Sequence, residues 1–199
     1  TRFRAAPLTG RLRLAAPPDL GISLVPRMLR RLADIHPGIV VDVRLDTSAT
    51  VQRMFAQGEI GVALLNDTRI PFARARELFS EPLIWLMRES GRAIERAPLP
   101  LAVAEIGCAW RDAALNALQA AQRPYRIAYS SDTSAGQIAA LPADLAVAAL
   151  PKSPAGHERM KLPAKYTMPG PPRTRIRLST DKSGPAEAFN TLAAPVLAP

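Results

Sequence analysis

The feature that most constrains this chain is a change of hydrophobic period, from two to about three and a half and back, repeated between Arg11 and Leu65. RLRLAA, 11–16, is a short apolar run that reads as a strand, and PPDLG after it reads as a turn. Ile22, Val25, Leu29 and Leu32 then recur at helical spacing. Pro26 is tolerable only near a first turn and His36-Pro37-Gly38 stops the pattern, so a helix is expected over 21–35. In IVVDVRL, Ile39, Val41, Val43 and Leu45 flank Asp42 and Arg44 in the period of a half-buried strand. Thr47 and Ser48 offer N-cap oxygens to a helix carrying Val51, Met54 and Phe55, which ends at Gly58 before a third strand, IGVALL. Three strands alternating with two helices through short loops imply right-handed crossovers and a parallel sheet.

After Asn66 and Asp67 the pattern loosens. RELFSEP leads into LIWLM, and SGRAIERAP, 90–98, reads as an exposed, mobile connection. The alternation then restarts: strand 101–106, helix 109–121, strand 125–129, short helix 134–140 and apolar strand 144–150. These elements form a second α/β lobe. RTRIRLST alternates as one more strand, and a helix over 184–192 follows it. The only low-complexity segment is the proline-rich MPGPP turn, and no repeat of solenoid period is present.

Composition narrows the function. With 48% hydrophobic and 22% charged residues the chain is expected to fold as an ordinary globular protein, expected to be soluble. No run of about 18 apolar residues exists, and TRFRAAPLTG lacks the apolar stretch of a signal peptide. A single cysteine excludes an internal disulfide, and with two histidines there is no zinc-like spacing, so neither a metal nor another cofactor is expected. The net charge of +9 attracts anions, but the arginines are scattered and aromatics are only 5%, unlike a single-strand binder. The charge reads as a solvated surface, and this segment is not expected to bind nucleic acid directly.

Nothing matches GxGxxG, GxxxxGK[ST], GxSxG, HExxH or CxxC. His36, beside Pro37 at a helix end, and His157, in SPAGHERM, read as surface residues rather than general bases, so the chain is not expected to be an enzyme. Cys108 is more open. At a helix N-terminus, three residues before Arg111, its thiol would be shifted toward thiolate, yet a lone cysteine equally packs as a small hydrophobe. Its turn, Cys108-Ala109-Trp110-Arg111, has counterparts at other strand ends: Pro17-Pro18-Asp19, Thr47-Ser48 and Ser130 to Ser134, including Ser131. Any one hydroxyl here reads as a helix cap. As a set, hydroxyls, amide N–H groups and one arginine at the carboxyl ends of parallel strands suit a small anionic ligand. Whether Trp110 lines such a site or packs beneath it is open from sequence.

The order of elements, with GRLRLAAPPDLGISLVPRMLRRLADIHPGIVVDVRL, TSATVQRMFAQGEIGVALL, GCAWRDAALNALQ, SSDTSAGQIAAL and DLAVAALPKS, resembles the effector-binding domain of LysR-type transcriptional regulators over Gly10 to about Leu192. The resemblance implies a type 2 periplasmic-binding-protein-like α/β fold, two lobes joined by two hinge crossings with a cleft between them. Lobe I would hold 10–83 and 155–199, lobe II 84–154, and 1–9 would be the remnant of a linker to a DNA-binding domain missing from the chain. It implies a small organic-acid effector held by Pro18, Asp19, Thr47, Ser48, Asn66, Cys108, Ala109, Trp110, Arg111, Ser130, Ser131 and Ser134. It further implies a homodimer through helix one and the second strand, a full-length homotetramer, DNA contact only through an N-terminal helix-turn-helix, and a cytoplasmic protein without membrane attachment. The pattern departs from the family at Gly61, where members often carry Asp, and in the loop 155–159. The competing readings are an exported solute-binding protein of the same fold and a thiol-sensing variant using Cys108.

Overall fold

The computed structural model describes residues 7–66, 75–152, 160, 162–170 and 173–193. His157 and the loop 155–159 lie outside them, as do residues 1–6 of the expected linker remnant; Thr9 already belongs to a strand. The chain divides into two compact units, Thr1–Phe79 with Arg175–Pro199, and Ser80–Thr174.

The first unit is built on a sheet of order β2-β1-β3-β9-β4. β1 (Thr9–Ala16), β2 (Gly38–Leu45) and β3 (Val62–Asn66) are parallel, as the crossovers require. β9 (Thr174–Thr180) runs antiparallel to β3. β4 (Arg76–Glu81), within the stretch where periodicity fails, forms the far edge. Strand alternation sorts the faces. Leu12, Leu14, Val62 and Leu64 meet Met28, Leu32 and Phe189 in one core, while Ala15, Ala63 and Leu65 meet Val51 and Met54 on the opposite face. α3 (Ser48–Ala56) covers that second face, and α6 (Gly184–Ala193) supplies Phe189 to the first.

The expected helix over 21–35 is two helices, α1 (Pro18–Ser23) and α2 (Val25–Ile35), and the expected PPDLG turn is already helical. Pro26 has no N–H to give to the carbonyl four residues earlier, so a continuous helix loses a bond there, and the chain breaks at Leu24 and restarts. Gly21 keeps α1 close to the sheet, since a Cβ there would collide with the Leu45 side chain.

The second unit has smaller sheets. β6 (Leu99–Ala104) and β7 (Tyr125–Ser131) are parallel, and β5 (Leu83–Leu86) pairs antiparallel with β8 (Ala148–Pro151). Val147 bridges to Leu101 and links the two pairs. α4 (Ala109–Ala120) and α5 (Ser134–Ala139) pack over them. The strand expected over 144–150 is shorter because Asp144 takes a left-handed φ of 53° and turns inward. Its carboxylate accepts from Arg92 N, Ala93 N and Arg96 Nη2, each at 3.0 Å. This tie corrects the expectation of a loose connection over 90–98: Ala93 and Ile94 are buried in the core beside Leu99 and Leu118. The return to the first unit falls at Arg175 rather than at 155. Leu162, Tyr166 and Met168 pack on the second unit's core, and Trp85 Nε1 donates to the Pro169 carbonyl at 2.7 Å, which hold 162–169 there.

Candidate functional site

In the first unit, β2, β1 and β3 are adjacent and parallel, so their carboxyl ends share one edge of the sheet. The turn after β1 begins with Pro17 as N-cap and Pro18 as the first helical residue, so it offers no amide donor at either position. Asp19 follows in the first turn of α1. After β2, Thr47 Oγ1 accepts from Thr50 N at 3.3 Å and caps α3. Ser48 does something else. Its buried Oγ accepts from Asn66 N at 3.2 Å and ties the start of α3 to the end of β3. Asn66 is itself 5% exposed. Its Oδ1 and the hydroxyl of Ser179 are buried side-chain polar atoms without a hydrogen-bond partner among the described residues. Most such groups in folded proteins are paired, and an orphan marks a deficit that a ligand or water relieves. The structure thus brings Thr47, Ser48 and Asn66 together, with Pro18 and Asp19 on the neighbouring strand end.

In the second unit, β6 ends at Ala104 and the turn Glu105–Gly107 leads to α4. Cys108 is the N-cap residue, half-buried, and it packs with Ile84, Ala109 and Ala113 against an apolar cluster. Trp110 settles beneath the turn: it is 3% exposed, and its Nε1 donates to Thr174 Oγ1 at 2.9 Å. The indole is a core residue whose polar edge is satisfied. Arg111 folds back, and its Nη1 donates to the Ala104 carbonyl at 2.7 Å. Arg111, Trp110, Ala104, Trp85 and Gln137 line a recess of about 10 Å³, room for about one water.

Ser130 and Ser131 end β7. Ser131 Oγ lies 3.4 Å from Asp132 Oδ1 and from Thr133 N. The cap of α5 is Thr133, whose Oγ1 accepts from Gly136 N at 3.1 Å, and Ser134 is the buried first helical residue. Gly136 lets this turn close, because a Cβ there would overlap Ser131 Oγ. Two residues escaped the sequence reading, and a third, Thr133, was read only as part of its turn. Thr133 was hidden among four hydroxyl or acidic neighbours, any of which caps equally well on paper. Gln137 is buried at the spacing of Ser134, and a polar residue on the inward face of SAGQIA was the available signal. Ile106 is 87% exposed at the β6–α4 turn, an apolar side chain presented to solvent at a strand end.

His36 Nδ1 accepts from Leu8 N at 3.1 Å, a structural role. Among the described residues no group of three or more His, Cys, Asp or Glu could hold a metal ion, and no helix is long and apolar enough to cross a membrane.

Two α/β units, each with polar turns at the carboxyl ends of parallel strands, define the type 2 periplasmic-binding-protein-like fold. Residues 5–194 match the LysR substrate binding domain, and the chain belongs to that family. It is 25% identical over 181 residues to the HTH-type transcriptional regulator DgdR of Burkholderia cepacia, covering 90% of this chain and 60% of DgdR. The chain spans about three-fifths of the length of the curated relatives it matches. The regulatory domain of CcmR from Synechocystis PCC6803, solved in complex with 2-PG, superposes with a TM-score of 0.75 at 16% identity, over 95% of this chain and 98% of that one. The effector binding domain of QuiR, solved in complex with shikimate, gives 0.73 at 12% identity over 96% and 98%. At these identities the structures establish the shared fold.

Proposed function

We propose that this chain is the ligand-sensing domain of a LysR-type transcriptional regulator and that it takes a small anionic organic effector at its strand-end turns. The observation that carries this reading is the tie between Ser48 and Asn66 at the start of α3, beside a buried Asn66 oxygen that lacks a donor among the described residues and can accept from a hydroxyl of the effector, in a chain of this family. Thr47, Ser48, Asn66, Pro18 and Asp19 form the first unit's contribution. In the second unit the candidate residues, taken by themselves, are Cys108, Ala109, Arg111, Ser130, Ser131 and Ser134, with Trp110 supporting its turn from beneath. The ligands named for the CcmR and QuiR domains, 2-PG and shikimate, support the small-effector class. A ligand regulates only through unequal affinity for two arrangements, so the effector biases a homodimer, and a homotetramer of the longer regulator, toward one of them. DNA contact belongs to a segment outside the matched one, since the relatives named as HTH-type regulators extend well beyond it. A role on DNA places the protein in the cytoplasm, and no catalytic turnover is assigned.

The test is a thermal-shift screen of organic acids on this chain, because a ligand that binds the folded state alone raises its melting temperature. Arg111→Ala should weaken the acid so identified by about 1.5 to 3 kcal/mol in calorimetry, the range for a charge-assisted contact. Unchanged affinity would remove Arg111 from the site. A screen in which no organic acid stabilises the chain would overturn the reading.

A further inference from the structure

The second face of the first unit's sheet is covered by α3 over Ala15, Ala63 and Leu65, whereas Val40 of β2, on the same face, is 55% exposed among the described residues. In the β1–β2 register Arg13 lies opposite Asp42 and Ala15 opposite Arg44, so alternation puts Arg11, Arg13, Asp42 and Arg44 on this uncovered face. A concavity of about 370 Å³ opens there, lined by Arg13, Leu14, Asp42, Arg44, Glu59 and Ile60. That volume is within the range of small-ligand sites.

The charges around it are unevenly compensated. Asp42 is engaged by Arg11 at 2.6 Å. Glu59 is shared by Arg44 and Arg53, each at a loose 3.9 Å. Among the described residues Arg13 reaches only the Glu59 carbonyl, at 3.2 Å, which orients its guanidinium without neutralising it. Four guanidinium groups therefore meet two carboxylates, and the two arginines that line the concavity, Arg13 and Arg44, hold the least compensated charge. A guanidinium is a planar fork of donors matched to an oxyanion. Ile60 gives the concavity an apolar component.

We infer that this concavity is a second ligand site, separate from the strand-end turns, which binds a small oxyanion, a phosphate or a carboxylate, between Arg13 and Arg44. Both arginines lie in the middle of the strands or one residue before their end, whereas the effector turns begin beyond Ala16, Leu45 and Asn66. The site lies within one unit and stands independently of the effector reading.

Calorimetry on this chain with inorganic phosphate in one arm and citrate in the other tests it. Binding is expected in at least one arm, and which one identifies the oxyanion. Arg13→Gln and Arg44→Gln should each weaken that binding about tenfold. Arg30→Gln, an exposed α2 cation with the opposite sheet face, and Ser48→Ala, in the effector turns, should leave it unchanged. Both arginine substitutions are at exposed positions, and circular dichroism confirms that the variants are folded. No binding in either arm would overturn the proposal. An equal loss in Arg30→Gln would also overturn it, by showing attraction to net charge alone. A loss confined to Ser48→Ala would move the anion to the effector turns and overturn it too.

Discussion

The two units solve the same problem, fixing polar turns at strand ends, with different means. In the second unit polar side chains are tied to the unit itself: Arg111 to the Ala104 carbonyl, Trp110 to Thr174, Trp85 to the Pro169 carbonyl and, at the other end of β6, Asp144 to three donors around residue 93. In the first unit a five-stranded sheet with helices on both faces supplies the rigidity, and the buried polar side-chain atoms left without a partner among the described residues, Asn66 Oδ1 and Ser179 Oγ, are both there. A broad apolar sheet can carry such deficits, each about 1 to 3 kcal/mol. A unit built from paired strands uses its polar groups as braces. The difference teaches that, among the described residues, unmet hydrogen-bonding capacity lies in the first unit, while the polar groups named in the second are engaged by the fold.

Fluorescence separates the units, since both tryptophans, Trp85 and Trp110, belong to the second. Phe189→Ala should have the largest effect, about 3 to 5 kcal/mol, from the cavity left in the first unit's core. The far-UV dichroism should then begin to change at lower denaturant than tryptophan emission. Coincident transitions would break the comparison by showing that the units unfold as one. Trp110→Phe should cost about 1 to 3 kcal/mol, because Thr174 Oγ1, in a residue only 2% exposed, loses its donor. That loss should appear in the remaining Trp85 emission; a denaturation midpoint equal to the wild type would show that the brace is dispensable. Thr47→Ala removes the cap on Thr50 N and should cost about 1 kcal/mol, read in the dichroism transition.

The smallest effect concerns Glu95. The Tyr166 hydroxyl donates to its carboxylate and Arg92 pairs with it at 2.7 Å, which together lower its pKa below the ordinary glutamate value. A depressed folded pKa contributes stability above the ordinary value and loses it as pH falls through the folded one. Glu95→Gln should therefore flatten the acid limb of a plot of denaturation midpoint against pH. An unchanged slope would show that this exposed network braces nothing.

Much of the architecture was legible because periodicity reports a burial pattern that each strand and helix has regardless of its neighbours. β1, α3, β3 and α4 fall within a few residues of expectation. β4 was not visible, since RELFSE has neither period and becomes a strand by lying at the sheet's edge. The segment 90–98 is largely exposed, as it read, but Asp144, some fifty residues on, ties down its Arg92–Ala93 backbone beside the buried Ala93 and Ile94, which local sequence does not report. Among the candidate residues, Thr47 as a cap is a local matter and could be read from its neighbours. Ser48 looked like a second cap and is instead a bridge to Asn66, eighteen residues away.

The sequence by itself determined the α/β class, the parallel start of the sheet, the positions of the strand-end turns and the family resemblance, because these depend on side-chain period and local backbone chemistry. Tertiary structure decided the return point at Arg175, the burial of Trp110 and the engagement of Arg111 with its own strand. These turn on which donor meets which acceptor once the strands and helices are packed, and on which apolar surface is left to cover. Composition and period cannot specify such pairings until the chain has folded.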